Sequence, residues 1–173
     1  MRKINKPKEG EYPPYAVIYL DQVPDDGNLI DYLGKGKALI NKFYSDKNEK
    51  MLMFRYKPEK WNMKDILAHI IDDERVFCYR ALRFARNDKT ELPGVDQDLD
   101  AENACANDRD ISELLDEYNK VRDSSIALFK GFNEDMIART GKASGFNVSV
   151  SALGYLIVGH ELHHLKIIKE RYF

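Results

Sequence analysis

Three of the four histidines in this 173-residue sequence, His160, His163 and His164, fall within five consecutive positions. On a helix turning ~100° per residue, His160 and His164 are one turn apart and point within ~40° of each other, a spacing at which two imidazoles can grip one metal ion. Leu153, Leu156, Ile157, Ile167 and Ile168 share that side, so the pair sits within an apolar face rather than at a polar margin. A lone core imidazole is satisfied by one hydrogen bond, but two side by side need a shared partner. We read a divalent metal ion as that partner.

Such a pair needs a long helix and a neighbour to complete the ligand set. The histidine helix starts at Ser149 as N-cap and is the fourth of four helices in the sequence. Helix two starts near Trp61-Asn62, where Asn62 and Asp65 are spaced as a capping box, and runs to about Arg86. Its apolar side is Met63, Ile66, Leu67, Ile70, Phe77, Ala81 and Phe84. His69 lies beside that side, on a stripe with Asp73 and Arg80. Taken alone it reads as a surface or boundary histidine; if helices two and four are neighbours, it is the natural third ligand. Asp72 and Asp73, three and four residues after His69, are candidates for a catalytic part, orienting an imidazole or moving a proton. The alternative for both is a solvated surface carboxylate.

Two further helices complete the set. Helix one spans Leu29 to about Ser45, with Leu29, Leu33, Ile40 and Phe43 at helical spacing. Helix three opens at Asp110, with Glu113 as capping-box partner, and continues to about Gly131. Arg122 interrupts its apolar side and would either anchor an anionic substrate or pair with an internal acid.

The connectors carry weaker signals. Residues 1–24 hold Pro7, Pro13, Pro14 and Pro24 and read as an extended N-terminal arm of a single domain spanning 1–173. Met51 to Tyr56 reads as a connector, since no other segment offers it a partner strand. Asn87 to Arg109 reads as a loop of about twenty residues, long enough that it either crosses the length of a bundle or covers a site. Asn133 to Arg139 reads as a short helical turn and Gly141 to Asn147 as a loop. The fold class expected is all-α.

Composition removes several function classes. With 27 basic and 29 acidic residues and a pI near 6.1, nothing in the charge balance calls for nucleic acid or an anionic membrane. No apolar run approaches ~18 residues, and Met1 to Gly10 is charged and lacks the apolar stretch of a signal peptide, so a soluble cytoplasmic protein without a membrane partner is expected. Cys78 and Cys105 have no CxxC spacing, and Cys78 faces away from His69, which suits packing better than ligation.

A family resemblance covers nearly the whole chain. Pro14-Tyr15, Tyr19 and Val23-Pro24-Asp25, then Lys60-Trp61, Asp65 and His69-Ile70-Ile71-Asp72, lead into Glu74-Arg75-Val76-Phe77 and Arg83-Phe84-Ala85-Arg86. Leu92-Pro93-Gly94, Asp96-Gln97-Asp98 and Gly159-His160-Glu161-Leu162-His163-His164 follow. In order and spacing these resemble the DinB-like superfamily. The resemblance implies a four-helix bundle of up-down-down-up topology with a long crossover between helices two and three. It also implies a divalent metal on His69, His160 and His164, with His163 left out, and frequent homodimers. The apolar, tyrosine-rich segment Tyr12 to Val23 adds weak support for a dimer. Relatives implied by the resemblance include S-transferases using bacillithiol or mycothiol and a mycothiol-dependent isomerase.

Three imidazoles would leave metal positions open for a small-molecule substrate. Such an ion lowers the pKa of a water or thiol it holds, or polarises a carbonyl. Zinc and nickel both suit imidazole. The expected function is a metal-dependent thiol S-transferase, with a low-molecular-weight thiol as cofactor, or a hydrolase. The alternative is a non-catalytic metal- or ligand-binding module. His160-Glu161-Leu162-His163-His164 also satisfies the H-E-x-x-H pattern of zinc peptidases, with Glu161 as general base. Only nine residues follow His164, and no strand is offered to hold a peptide, which makes this the least favoured reading.

Overall fold

The computed structural model describes residues 2–173. In chain order it contains α1 (Val17–Leu20), α2 (Leu29–Tyr44), α3 (Glu49–Leu52), α4 (Met63–Ala85), α5 (Gln97–Asn103), α6 (Ile111–Gly131), α7 (Glu134–Ala138), β1 (Thr140–Ala143), β2 (Phe146–Ser149) and α8 (Val150–Arg171). The long helices α2, α4, α6 and α8 form a four-helix bundle: α4 packs on α8 and α6, and α2 packs on the same two.

Local chemistry fixes the helix starts. Asn62 accepts from the Asp65 N–H at 2.9 Å while the Asp65 carboxylate accepts from the Asn62 N–H at 3.1 Å, a reciprocal box that satisfies two otherwise unpaired donors at the start of α4. Asp110 and Glu113 do the same for α6, and Ser149 caps α8 by accepting from Ala152 N–H at 3.0 Å. The α8 helix is buried at every residue from Val150 to Glu161, so its first three turns run through the core rather than along its surface. Two small residues allow this. A Cβ on Gly154 would fall 2.5 Å from a Leu29 methyl, and one on Gly159 would fall 2.3 Å from the Tyr19 carbonyl oxygen.

Polar contacts register the helices. Between α2 and α6 these join the Leu33 carbonyl to Arg122 at 3.0 Å, Lys37 to Asp123 at 2.7 Å and Asn41 to Asn119 at 2.7 Å. Between α4 and α6 they join Arg75 to Glu117 at 2.6 Å and Cys78 to Ser125 at 3.1 Å. The Tyr172 hydroxyl, just past α8, donates to the Trp61 carbonyl just before α4.

Three segments differ from expectation. Residues 1–24 are not extended throughout: Pro14–Ala16 forms a 3-10 turn that runs into α1. Proline suits the first position of a helical turn, and Ala16, Leu20 and Val23 are buried, with α1 packed on α8. Upstream, the Ile4 N–H donates to the Gly27 carbonyl at 3.0 Å and the Tyr155 hydroxyl donates to the Ile4 carbonyl at 2.8 Å, which fastens this segment to α8.

The bundle is mostly helical as expected, but Gly141 to Asn147, expected as a loop, lies within a two-stranded hairpin. β1 and β2 pair antiparallel, Thr140 with Ser149 and Ala143 with Phe146, around Ser144-Gly145. Both turn residues have positive φ, 52° and 82°, as the two-residue turn that matches strand twist requires. The crossover from α4 to α6 is likewise more ordered than a bare loop. It contains α5, whose first amides at Asp98 and Leu99 donate to Asp96, and a 3-10 turn at Ala106–Asp108. Leu92 joins the crossover to the hairpin by donating its N–H to the Lys142 carbonyl at 2.9 Å and accepting from Ser144 N–H at 3.0 Å. Among the described residues no helix is long and apolar enough to cross a membrane.

Candidate metal centre

Antiparallel contact between α4 and α8 brings His69 against the His160–His164 turn. The Nε2 atoms of His69 and His160 are 3.0 Å apart and those of His160 and His164 are 2.9 Å apart. Each of the three offers a nitrogen within 4.8 Å of the other two, in an arrangement able to hold a metal ion. His69 and His160 are buried and His164 is the most accessible.

The electrostatics favour neutral imidazoles. Burial lowers the pKa of His69 to about 4 and that of His164 to about 3, the latter helped by the neighbouring histidines, and it drives His160 well below its ordinary value. Neutral imidazoles with converging nitrogens cannot all satisfy one another, because each pair needs one donor and one acceptor. A cation among them would accept a lone pair from every ring, so the donor set fits a divalent ion.

The two acidic candidates separate. The Asp73 carboxylate reaches 3.5 Å from His160 Nε2 and 3.8 Å from His69 Nε2, and burial raises its pKa to about 7. Asp72 instead turns towards Arg75 at 3.2 Å, with its side chain half-exposed. His163 stays out of the triangle and packs edge-on against Tyr19 at 5.1 Å between ring centroids.

Two wall residues were not foreseen as part of the site. Tyr19, from α1, stands edge-on to His160 at 5.4 Å, and the Trp61 ring lies 4.7 Å from the His69 ring. Trp61 had a readable signal, since it directly precedes the N-cap of the helix that carries His69. Tyr19 had no local signal of its own beyond its place among the residues that carry the family resemblance, as it arrives from the far end of the sequence.

Glu161 belongs to a different cluster. Arg122 is fully buried and binds Glu74 through Nε at 2.8 Å and Glu161 through Nη2 at 2.6 Å, while Tyr118 donates to the same Glu161 oxygen. Of the two readings of Arg122, pairing with internal acids is the one observed. With its carboxylate held by Arg122 and Tyr118, Glu161 is not available as the base of a zinc peptidase. Gly36 makes room for this cluster: a Cβ there would lie 2.2 Å from Glu161 Oε1.

A family model described as DinB superfamily matches residues 38–168. Among solved structures the chain is similar to YfiT from Bacillus subtilis, at 18% sequence identity and a TM-score of 0.74, over 95% of this chain and 90% of that one. That protein is described as a probable metal-dependent hydrolase with an unusual four-helix bundle topology. At this identity the likeness establishes a shared fold. No curated protein matches the chain.

Proposed function

The chain belongs to the DinB superfamily, and we propose that it is a divalent-metal protein acting on a small molecule, as a metal-dependent hydrolase or a thiol S-transferase, with His69, His160 and His164 as ligands. The observation that carries this reading is the convergence of three buried Nε2 atoms from two helices. The description of YfiT as a probable metal-dependent hydrolase supports it. Zinc and nickel are the ions best suited to imidazole.

When bound, such an ion supplies a Lewis acid that lowers the pKa of a water or thiol or polarises a carbonyl. The chain supplies the rest. His69 and His160 are fixed by burial, and the Asp73 carboxylate stands 3.8 and 3.5 Å from their Nε2 atoms, beyond a direct hydrogen bond but within reach of a proton through one water. Tyr19 and Trp61 shield the imidazoles from bulk water on two sides.

The partners belong to the same proposal: a small-molecule substrate, a low-molecular-weight thiol in the transferase case, no nucleic acid, no membrane, and a cytoplasmic homodimer. The exposed Tyr15, Val17 and Ile18 support a self-association surface. We also infer an up-down-down-up order for α2, α4, α6 and α8. Leu33 meets Arg122 and Asn41, two turns on, meets Asn119, which suits opposed directions for α2 and α6. Lys64 at the start of α4 meets Arg109 just before α6, and Cys78 meets Ser125, which suits a common direction for α4 and α6.

Elemental analysis of protein purified without an affinity tag tests the metal. Stoichiometric divalent metal is expected in the wild type and its loss in His160→Ala/His164→Ala; full occupancy in the double variant overturns the ligand set. A panel of esters and electrophiles with and without thiols then separates the chemistries, because a transferase requires the thiol and a hydrolase does not.

A further inference from the structure

Beside His164 the surface sinks into a cavity of about 220 Å³. Its inner walls are Tyr56, Trp61, Ile66, Ile167 and Tyr172, and its mouth carries the exposed Glu59, Lys60, Gln97 and Asp98. The Tyr172 hydroxyl donates to the Trp61 carbonyl, and the rings of Tyr56 and Tyr172 meet edge to face at 5.1 Å, so the inner walls offer mainly aromatic and aliphatic surface. Trp61 joins the two places: its ring lies 4.7 Å from that of His69 and 6.5 Å from that of His164, and it also lines the cavity.

We propose that this cavity receives the non-reacting arm of the substrate, and that the arm is a single aromatic ring or an apolar group of similar size, its reacting end held at the three histidines. This rests on the metal reading above. Size and chemistry agree. An apolar cavity of about 150 Å³ holds benzene, so this one holds a ring with a short linker. The charged lining residues Glu59, Lys60 and Asp98 stand at the exposed mouth, so the inner walls suit an uncharged arm. The cavity adjoins His164, the least buried of the three, while Tyr19 and Phe77 pack against His160 with ring centroids at 5.4 and 6.1 Å. An arm leaving the site therefore has its apolar berth on the His164 side.

The test compares two metal-binding probes that differ only in their arm, benzohydroxamate and acetohydroxamate, titrated by calorimetry into metal-loaded protein. Benzohydroxamate should bind at least tenfold more tightly. It should also change the emission of Trp61, the sole tryptophan, more than acetohydroxamate does. The affinity ratio should fall towards one in Ile167→Arg, which fills the cavity, and several-fold in Tyr56→Ala, which removes a wall. Equal affinities in the wild type, or a ratio unchanged in both variants, overturns the assignment of the cavity while leaving the metal reading intact. A wild type that retains no divalent metal on elemental analysis overturns the metal reading and this assignment with it.

Discussion

Arg122 and Glu161 form a fully buried ion pair, 2.6 Å between Nη2 and Oε2, one residue along α8 from His160. The helix thus turns its histidines towards α4 and its acid towards α6. Glu161 has a second oxygen without a hydrogen-bond partner, and burial raises its pKa against the pull of Arg122. Loss of Arg122 would leave Glu74 and Glu161 unpaired in the core, and Arg122→Met should cost about 3–5 kcal/mol in urea unfolding. Glu161→Gln keeps Arg122 paired with Glu74 and should cost less than about 1.5 kcal/mol. It should leave metal stoichiometry unchanged.

Two glycines on α2 should respond oppositely to the same substitution. A Cβ on Gly36 would lie 2.2 Å from Glu161 Oε1 and 2.7 Å from Arg122 Nη1, whereas one on Gly34 meets nothing within 4 Å. Gly36→Ala should destabilise by about 1–3 kcal/mol through overpacking of the ion cluster. Gly34→Ala should stabilise by about 0.5–1 kcal/mol through helix propensity. Thermal unfolding of the two variants checks both signs.

Neighbouring carboxylates should separate in the same way. Asp73→Asn removes a negative charge beside the converging Nε2 atoms of His69 and His160, and metal affinity should fall about 10-fold or more, because a carboxylate ~4 Å from a cation attracts it even at intermediate dielectric. Asp72→Asn changes a residue paired with Arg75 at the surface and should shift affinity by less than about twofold. Competition with a chromophoric chelator measures both.

The metal-free protein should lose stability as pH falls from about 6.5 towards 4. Unfolded histidines protonate near 6.5, but burial holds the folded His69 at about 4 and His164 at about 3, with His160 lowered as well. Across that window the unfolded state binds more protons, so stability rises with pH. Asp73 acts in the opposite sense: its pKa is raised from 3.8 to about 7, so it favours the folded state less as pH rises through that range. Three histidines outweigh one aspartate. Urea midpoints measured in chelator should therefore decline on acidification, and the decline should shrink in His69→Phe.

The helices and their caps were legible because each rests on local chemistry, as in the Asn62–Asp65 and Asp110–Glu113 boxes. The ligand geometry was half legible. The spacing of His160 and His164 was plain, but their apolar stripe was only part of the reason they are inside, since α8 is buried all round over its first three turns. The Ser144-Gly145 turn was a missed signal, a small residue followed by glycine between two extended runs. α5 gave no apolar period because none of its residues is buried. The place of Tyr19 at the site was not legible from local pattern, because it is set by docking of α1 on α8 and not by any neighbour in sequence.

His69 and His160 stand 91 residues apart in the chain, and Tyr155 reaches back 151 residues to Ile4. Closing such loops costs entropy before any contact repays it, so these pairings belong to the later events of folding. A chain in which α4 has met α6 but not α8 holds a single imidazole where the finished protein holds three. Tight capture of an ion thus becomes a mark of completed folding. Once seated, the ion would bridge two distant stretches of chain as a disulfide does, resisting separation of α4 from α8.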